Sequence, residues 1–232
     1  MEQASLYSEI AERGTDCIRN SKEQIDLWLK HPEDDTRRGI ALLIRIPDEA
    51  KEQILRMEQA LRKAEPDQYY YPASDFHITV LDILAAKPGF PCTHALAESY
   101  GGVLAEVLSC FQPFFVSLRG IIPSEGALLV KGYSEETLAQ IRRALRNGLR
   151  SHHLALDERY ETVSSHITFV RFMEQLQNRR ELLRILEKNA ERGFGRFEVK
   201  SLQLVYHDWY DSRKTVLAEY SLQMLQKQKI ME

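Results

Sequence analysis

Cysteine is scarce: Cys17, Cys92 and Cys110 are the three in 232 residues. They form no C-x-x-C pair, and any disulfide scheme leaves one over. This argues against a disulfide scaffold and for a reduced, cytoplasmic protein. Long apolar runs are also missing; none approaches bilayer length. The first residues, Met-Glu-Gln-Ala-Ser, have no basic stretch followed by an apolar one, so no signal peptide is expected. Neither sign of charge dominates. Lys plus Arg number 31 against 34 Asp plus Glu, a net charge of -3. No extended nucleic-acid surface and no membrane partner is indicated, although a local basic cleft is compatible with that balance. The phosphate loop G-x-x-x-x-G-K-[ST] and the dinucleotide-binding fingerprint are both absent.

The composition does supply a core. It is 44% hydrophobic and 28% charged, which suits one large domain or two packed lobes rather than a disordered chain. Residues 1–38 read as a helical extension. Ser21 and Gln24 fit a capping box ahead of Ile25, Leu27 and Leu29, and Pro32 stops that helix. It reads as a helix on the outside of the domain rather than a regulatory or assembly element. Its end separates it from a bilobal unit over residues 39–232.

Within that unit the order strand, helix, strand occurs twice. Residues 40–46 form a strand candidate. Ile54, Met57, Leu61 and Ala64 then recur at helical spacing up to Pro66. A tyrosine-rich loop leads into the strand containing His77-Ile78-Thr79. A weaker helix, interrupted by Gly101 and Gly102, covers roughly 93–110. The second half begins with strands at 113–118 and 127–132. Ser134 caps a helix with the stripe Leu138, Ile141, Leu145 and Leu149. A loop over 151–161 precedes the strand containing His166-Ile167-Thr168. A helix with Leu182, Leu183, Leu186 and Ala190 follows, and strands at about 196–206 and 215–222 finish the chain.

The repeated His-Ile-Thr is the most informative feature. With eight threonines in the chain, two identical triplets in matching contexts are not an accident of composition. Strand side chains alternate with period two, so each His shares a face with its own Thr. Two such pairs meeting in a cleft would place two imidazoles and two hydroxyls around a small anion. Phosphodiester chemistry needs a proton taken from the nucleophile and one given to the leaving oxygen. Two histidines can divide those tasks near neutrality. Thr79 and Thr168 can donate hydrogen bonds to non-bridging oxygens. No metal is needed for this, and no cofactor is expected. A zinc site is a rival, but His94, His152, His153 and His207 lack ligand spacing. Asp82 would face away from His77 if alternation holds.

With the following residues Val80 and Phe169, both triplets match the signature of the 2H phosphoesterase superfamily, also called LigT-like or 2'-5' RNA ligase-like. The chain resembles that family over about residues 39–222. The resemblance implies an α+β fold: two pseudo-symmetric lobes of antiparallel sheet with outer helices around a central cleft. It also implies a metal-independent phosphodiesterase acting on a cyclic phosphate, nucleotide or RNA end. His77, Thr79, His166 and Thr168 would be its catalytic set. The alternative is a non-catalytic nucleotide- or RNA-end-binding protein that keeps the cleft.

Candidate substrate contacts follow from position. Tyr71, in the run Tyr69–Tyr71 before the first motif, and Tyr206 and Trp209, in the cluster 206–210, could stack on a base or line a rim. Arg119, Lys131 and Arg171 lie near strand ends and could meet phosphate. Arg142, Arg143, Arg146 and Arg150 form a basic helical run that could serve as an approach surface or an ordinary solvated face. Nothing in the pattern sets an oligomeric state.

Overall fold

The computed structural model describes residues 3–223; residues 224–232 of the expected 39–232 unit lie outside the described residues. There are two antiparallel sheets. The first has the order β3-β1-β8-β9, from β1 (Arg37–Arg45), β3 (His77–Pro88), β8 (Ser201–His207) and β9 (Lys214–Ser221). The second has the order β2-β6-β5-β4-β7, from β2 (Tyr69–Tyr70), β4 (Phe114–Pro123), β5 (Ala127–Ser134), β6 (Ile167–Arg171) and β7 (Gly193–Val199). Helices α1 (Gln3–Arg19), α2 (Asp48–Ala64), α3 (His94–Leu108), α4 (Glu136–Ser151) and α5 (Arg179–Lys188) cover the sheets. This is the expected two-lobed α+β architecture. No described helix is long and apolar enough to cross a membrane.

The α4 stripe of Leu138, Ile141, Leu145 and Leu149 is fully buried, as its period requires. Ser134, however, does not cap this helix. It ends β5, and its hydroxyl accepts from the Gln3 amide (2.9 Å) and the Ser165 hydroxyl (3.1 Å). The single strand expected over 196–206 is two strands in different sheets, β7 and β8, divided at Lys200. That division carries the chain back from the second sheet to the first.

The capping-box helix expected after Ser21 does not form. Ser21 takes a left-handed φ of +56°, and the next amides are used elsewhere. Gln24 N–H donates to the Glu125 carbonyl and Asp26 N–H to the Phe172 carbonyl, both at 2.8 Å. A 3-10 turn at Leu27–Lys30 is all that remains, with the Asp26 side chain accepting from Trp28 N–H. The helix of this region is α1, which packs on β4. Gly14 permits the close approach, since a Cβ there would lie 2.4 Å from the Pro123 carbonyl oxygen.

Tyr7 anchors α1. Its hydroxyl donates to the Gly132 carbonyl (2.7 Å) and accepts from Ser165 N–H (3.0 Å), one residue before His166. Tyr7→Phe strips a buried amide of its acceptor, which costs about 1–3 kcal/mol. The expected result is a lower urea midpoint with an unchanged slope. An unchanged midpoint would show that α1 is not held through this hydroxyl.

Candidate active site

The two motif strands lie toward facing edges of the two sheets. β3 is the edge strand of the first, and β6 is one strand in from the short β2 in the second. Each carries a β-bulge just after its motif. Opposite β1, Thr79 pairs with Leu43 but Leu81 with Leu42. Opposite β5, Thr168 pairs with Leu129 but Val170 with Leu128. One extra residue in a strand reverses the faces beyond it. Val80 and Leu81 are therefore both buried, as are Phe169 and Val170. The fifth residue after each histidine swings onto the histidine face. In the first lobe that residue is Asp82, in the second Arg171. The expectation that Asp82 faces away from His77 is thus overturned by the bulge.

His77, Thr79, Asp82, His166, Thr168 and Arg171 line one cavity of about 140 Å³, together with Tyr71, Arg159, Ser164, His207 and Trp209. Among the described residues, neither threonine hydroxyl has a hydrogen-bond partner, so both are free to donate into the cavity. Tyr71 accepts a hydrogen bond from Arg171 Nε at 3.2 Å, and Arg171 also lies 3.8 Å from the Asp26 carboxylate.

Three other expected contacts are elsewhere. Arg119 and Lys131 both pair with Glu191 at 3.0 Å, away from the cavity. Tyr206 turns its hydroxyl to the Phe90 carbonyl, 2.5 Å away, because it alternates with His207 along β8. The basic run on α4 also separates. Arg142 is buried, while Arg146 is tied to Glu158 by two bonds of 2.8 Å.

The histidines have different surroundings. His77 Nδ1 lies 2.7 Å from the Asp75 carbonyl oxygen. A carbonyl only accepts, so Nδ1 holds the hydrogen and Nε2 keeps its lone pair. The buried Asp211 carboxylate stands 3.9 Å from the same Nδ1. His166 Nδ1 instead lies 2.7 Å from the Ser164 hydroxyl, which can donate or accept. Burial pushes His77 down to about 4; the His207 and Arg45 charges add to this, while Asp211 opposes it. Burial also pushes His166 down to about 4, helped by the charges of His77, Arg142 and Arg171. Burial lifts Asp82 to about 6, against the pull of His207.

Asp211 links several of these groups. It accepts from His207 Nδ1 at 2.9 Å, pairs with Arg45, and lies 3.2 Å from Lys214 Nζ. Burial works against its charge, but the His207 and Arg45 hydrogen bonds and the charges of His77 and His207 hold its carboxyl well below the usual range. The loop that carries it is fixed by Asp208, whose side chain accepts from the amides of Tyr210, Ser212 and Arg213. Trp209, in that loop, has the Arg159, Arg37 and Arg171 guanidiniums 5.0, 5.3 and 6.0 Å from its ring centre.

Sequence reasoning did not select Asp82, Arg159, Ser164 or His207 for this cavity, nor Asp211 behind His77 and His207. The apolar doublets Val80-Leu81 and Phe169-Val170 were a readable sign of the bulges. His207 and Asp211 carried no comparable sign. Among the described residues, His31, Glu33 and Asp34 are close enough to share a metal ion, but they are exposed and outside the cavity.

The sequence matches the model of the family described as the 2'-5' RNA ligase superfamily over residues 46–211. No curated protein is a detectable sequence relative. Among solved structures, a Thermus thermophilus protein is 18% identical, with a TM-score of 0.61 over 80% of this chain and 97% of its own. Escherichia coli LigT, solved with 3'-AMP, is 14% identical, with a TM-score of 0.56 over 81% and 99%. An Agrobacterium tumefaciens protein is also 14% identical, with a TM-score of 0.57 over 88% and 98%. At these identities the structures establish the fold.

Proposed function

Because the chain belongs to the 2'-5' RNA ligase superfamily, we propose that it is a phosphodiesterase working on a nucleotide or RNA-end phosphodiester by acid–base catalysis. One observation carries this reading: two imidazoles and two unpartnered threonine hydroxyls from separate lobes line the same small cavity. E. coli LigT, which shares the fold, has been solved with 3'-AMP and with phosphate, which supports a phosphate-bearing ligand here. The three cysteines are unpaired, in keeping with a cytoplasmic setting.

The lone pair on His77 Nε2 suits it to take the proton from the attacking water or hydroxyl. The imidazolium so formed faces Asp211, which stabilises it. The nucleophile's oxygen bonds to phosphorus as the bond to the leaving oxygen breaks. His166 gives its proton to that oxygen, and the nearby charges of Arg142 and Arg171 favour its release. Thr79, Thr168 and Arg171 hold the non-bridging oxygens. Both proton transfers run through protein side chains.

The test is a panel of nucleoside 2',3'-cyclic phosphates and dinucleoside monophosphates. Turnover of at least one class is expected, and binding without any turnover would leave only a binding protein. The pH dependence gives a second check. In the free protein both imidazoles lose their protons near pH 4, so the working form with one proton becomes scarcer above that. We expect kcat/KM to fall as pH rises through neutrality, by up to about tenfold per unit. A bound phosphate anion favours imidazolium, so the kcat profile should be displaced to higher pH. A kcat/KM maximum at or above the ordinary histidine value, about 6.5, would contradict this reading.

A further inference from the structure

We infer that α1 builds a leaving-group subsite beside the catalytic cleft, shaped for the terminal nucleoside on the far side of the scissile phosphate. The inference rests on the diesterase reading and adds to it the class of diester: two nucleosides joined by one phosphate.

A phosphodiester has two organic arms. The cleft, at about 140 Å³, holds the phosphate and little else; ligand pockets usually run from about 300 to 1,000 Å³. A second hollow of about 560 Å³ adjoins it and shares His166, Thr168, Arg171, Arg159 and Trp209 with it. His166 lines both spaces, whereas His77 lines the smaller alone. An arm whose oxygen takes its proton from His166 therefore departs into the larger hollow. His77, on the other side, is the histidine whose Nε2 is ready to accept.

The larger hollow has a wall that belongs to the N-terminal helix. Leu6, Ile10 and Arg13 stand on one face of α1 at helical spacing and line it. Val163 faces them, 37% exposed, and Leu129 contributes from β5. The helix is fixed against the site: Tyr7 bonds to Ser165 N–H, and Gln3 reaches the Ser165 hydroxyl at 3.1 Å. The lining also includes Glu125 and Glu161. They balance Arg13 and Arg159 in the same lining, and Arg171 already faces Asp26, so the hollow offers no run of free cations for a continuing strand and its apolar wall suits a terminal nucleoside.

The test compares kcat/KM for dinucleoside monophosphates, in both 2'-5' and 3'-5' linkage, with kcat/KM for the matching nucleoside phosphate methyl esters, whose leaving arm is methanol and needs no subsite. Leu6→Trp and Ile10→Trp each narrow the hollow from α1, so one can stand in if the other fails to fold. Each is expected to lower kcat/KM for the favoured dinucleoside substrate about tenfold or more, and to leave the methyl ester within about twofold. Equal losses on both substrates, or none on the dinucleoside, would overturn the subsite. Wild-type turnover of cyclic phosphates but of no dinucleoside would overturn it too, while leaving the diesterase reading intact. Failure on every substrate would overturn that reading first.

Discussion

His77→Ala and His166→Ala are each expected to lower kcat by about 10²–10⁴, the usual contribution of a positioned acid or base. The two imidazoles act on one reaction step from opposite sides. The double variant should therefore be little slower than the worse single one, as happens when residues work as a unit. Folding should survive, because both rings line a cavity rather than fill a core. Circular dichroism and the urea midpoint check the fold, and steady-state kinetics check the rest. Losses that multiply in the double variant would mean two independent roles. Full activity in either single variant would remove that histidine from the chemistry.

Arg142→Met is expected to cost about 3–5 kcal/mol, because it takes the donor from four carbonyls, each costing about 1–3 kcal/mol where it stays unsatisfied and less where water or relaxation recovers it. Arg142 is 3% exposed, and its guanidinium donates to four carbonyls. Nε reaches Val80 at 2.8 Å and Nη2 reaches Thr79 at 2.8 Å, both in the first motif strand. Nη1 reaches Val163 at 2.6 Å and Nη2 reaches Ser164 at 2.7 Å, just before the second motif. β3 is an edge strand, so those carbonyls have no strand partner on that side. One planar fork thus ties the backbones of both motifs together and sets the separation of the two histidines. Burial pulls its pKa down to about 10, which still leaves it charged at neutral pH.

For a chain of this size the loss corresponds to a fall in Tm on the order of 10 °C. Arg142→Lys keeps the charge but has a single nitrogen with three donors, and it cannot span four acceptors. It should fold and lose kcat more than it raises KM, since substrate contacts remain while the histidines loosen. A Lys variant with unchanged kcat would show that Arg142 stabilises the fold without positioning the site.

The lobed architecture was legible because its signals are local and periodic. Leu138, Ile141, Leu145 and Leu149 could belong only to a helix face. Each His-Ile-Thr had to share a strand face between its His and Thr. What escaped was set by tertiary partners. Gln24 and Asp26 give their amides to a distant turn and strand end, so the capping signal at Ser21 was overridden. Lys200 divides two strands in a stretch whose β-propensity is continuous.

The site shows the same division. His77, Thr79, His166 and Thr168 could be named from sequence, and the structure gathers them with Tyr71, Arg171 and Trp209. Asp82 was placed on the wrong face by strict alternation, which a bulge breaks. Arg119 and Lys131 were plausible by charge, yet Glu191 holds both. Arg142 looked like one of four surface cations. Its burial depends on the unpaired carbonyls of an edge strand, which no local pattern reveals.

In the proposed function two half-sites, one per lobe, hold a single phosphate between two imidazoles. Long-range ¹H–¹⁵N NMR of the histidine rings, recorded while a nucleoside monophosphate is titrated in, tests it most directly. The expected result is that the ring nitrogens of His77 and His166 respond together and saturate at one ligand per chain, with a gain of protonation shared by the pair. Response of only one ring, or saturation at two separate ligands, would contradict the claim.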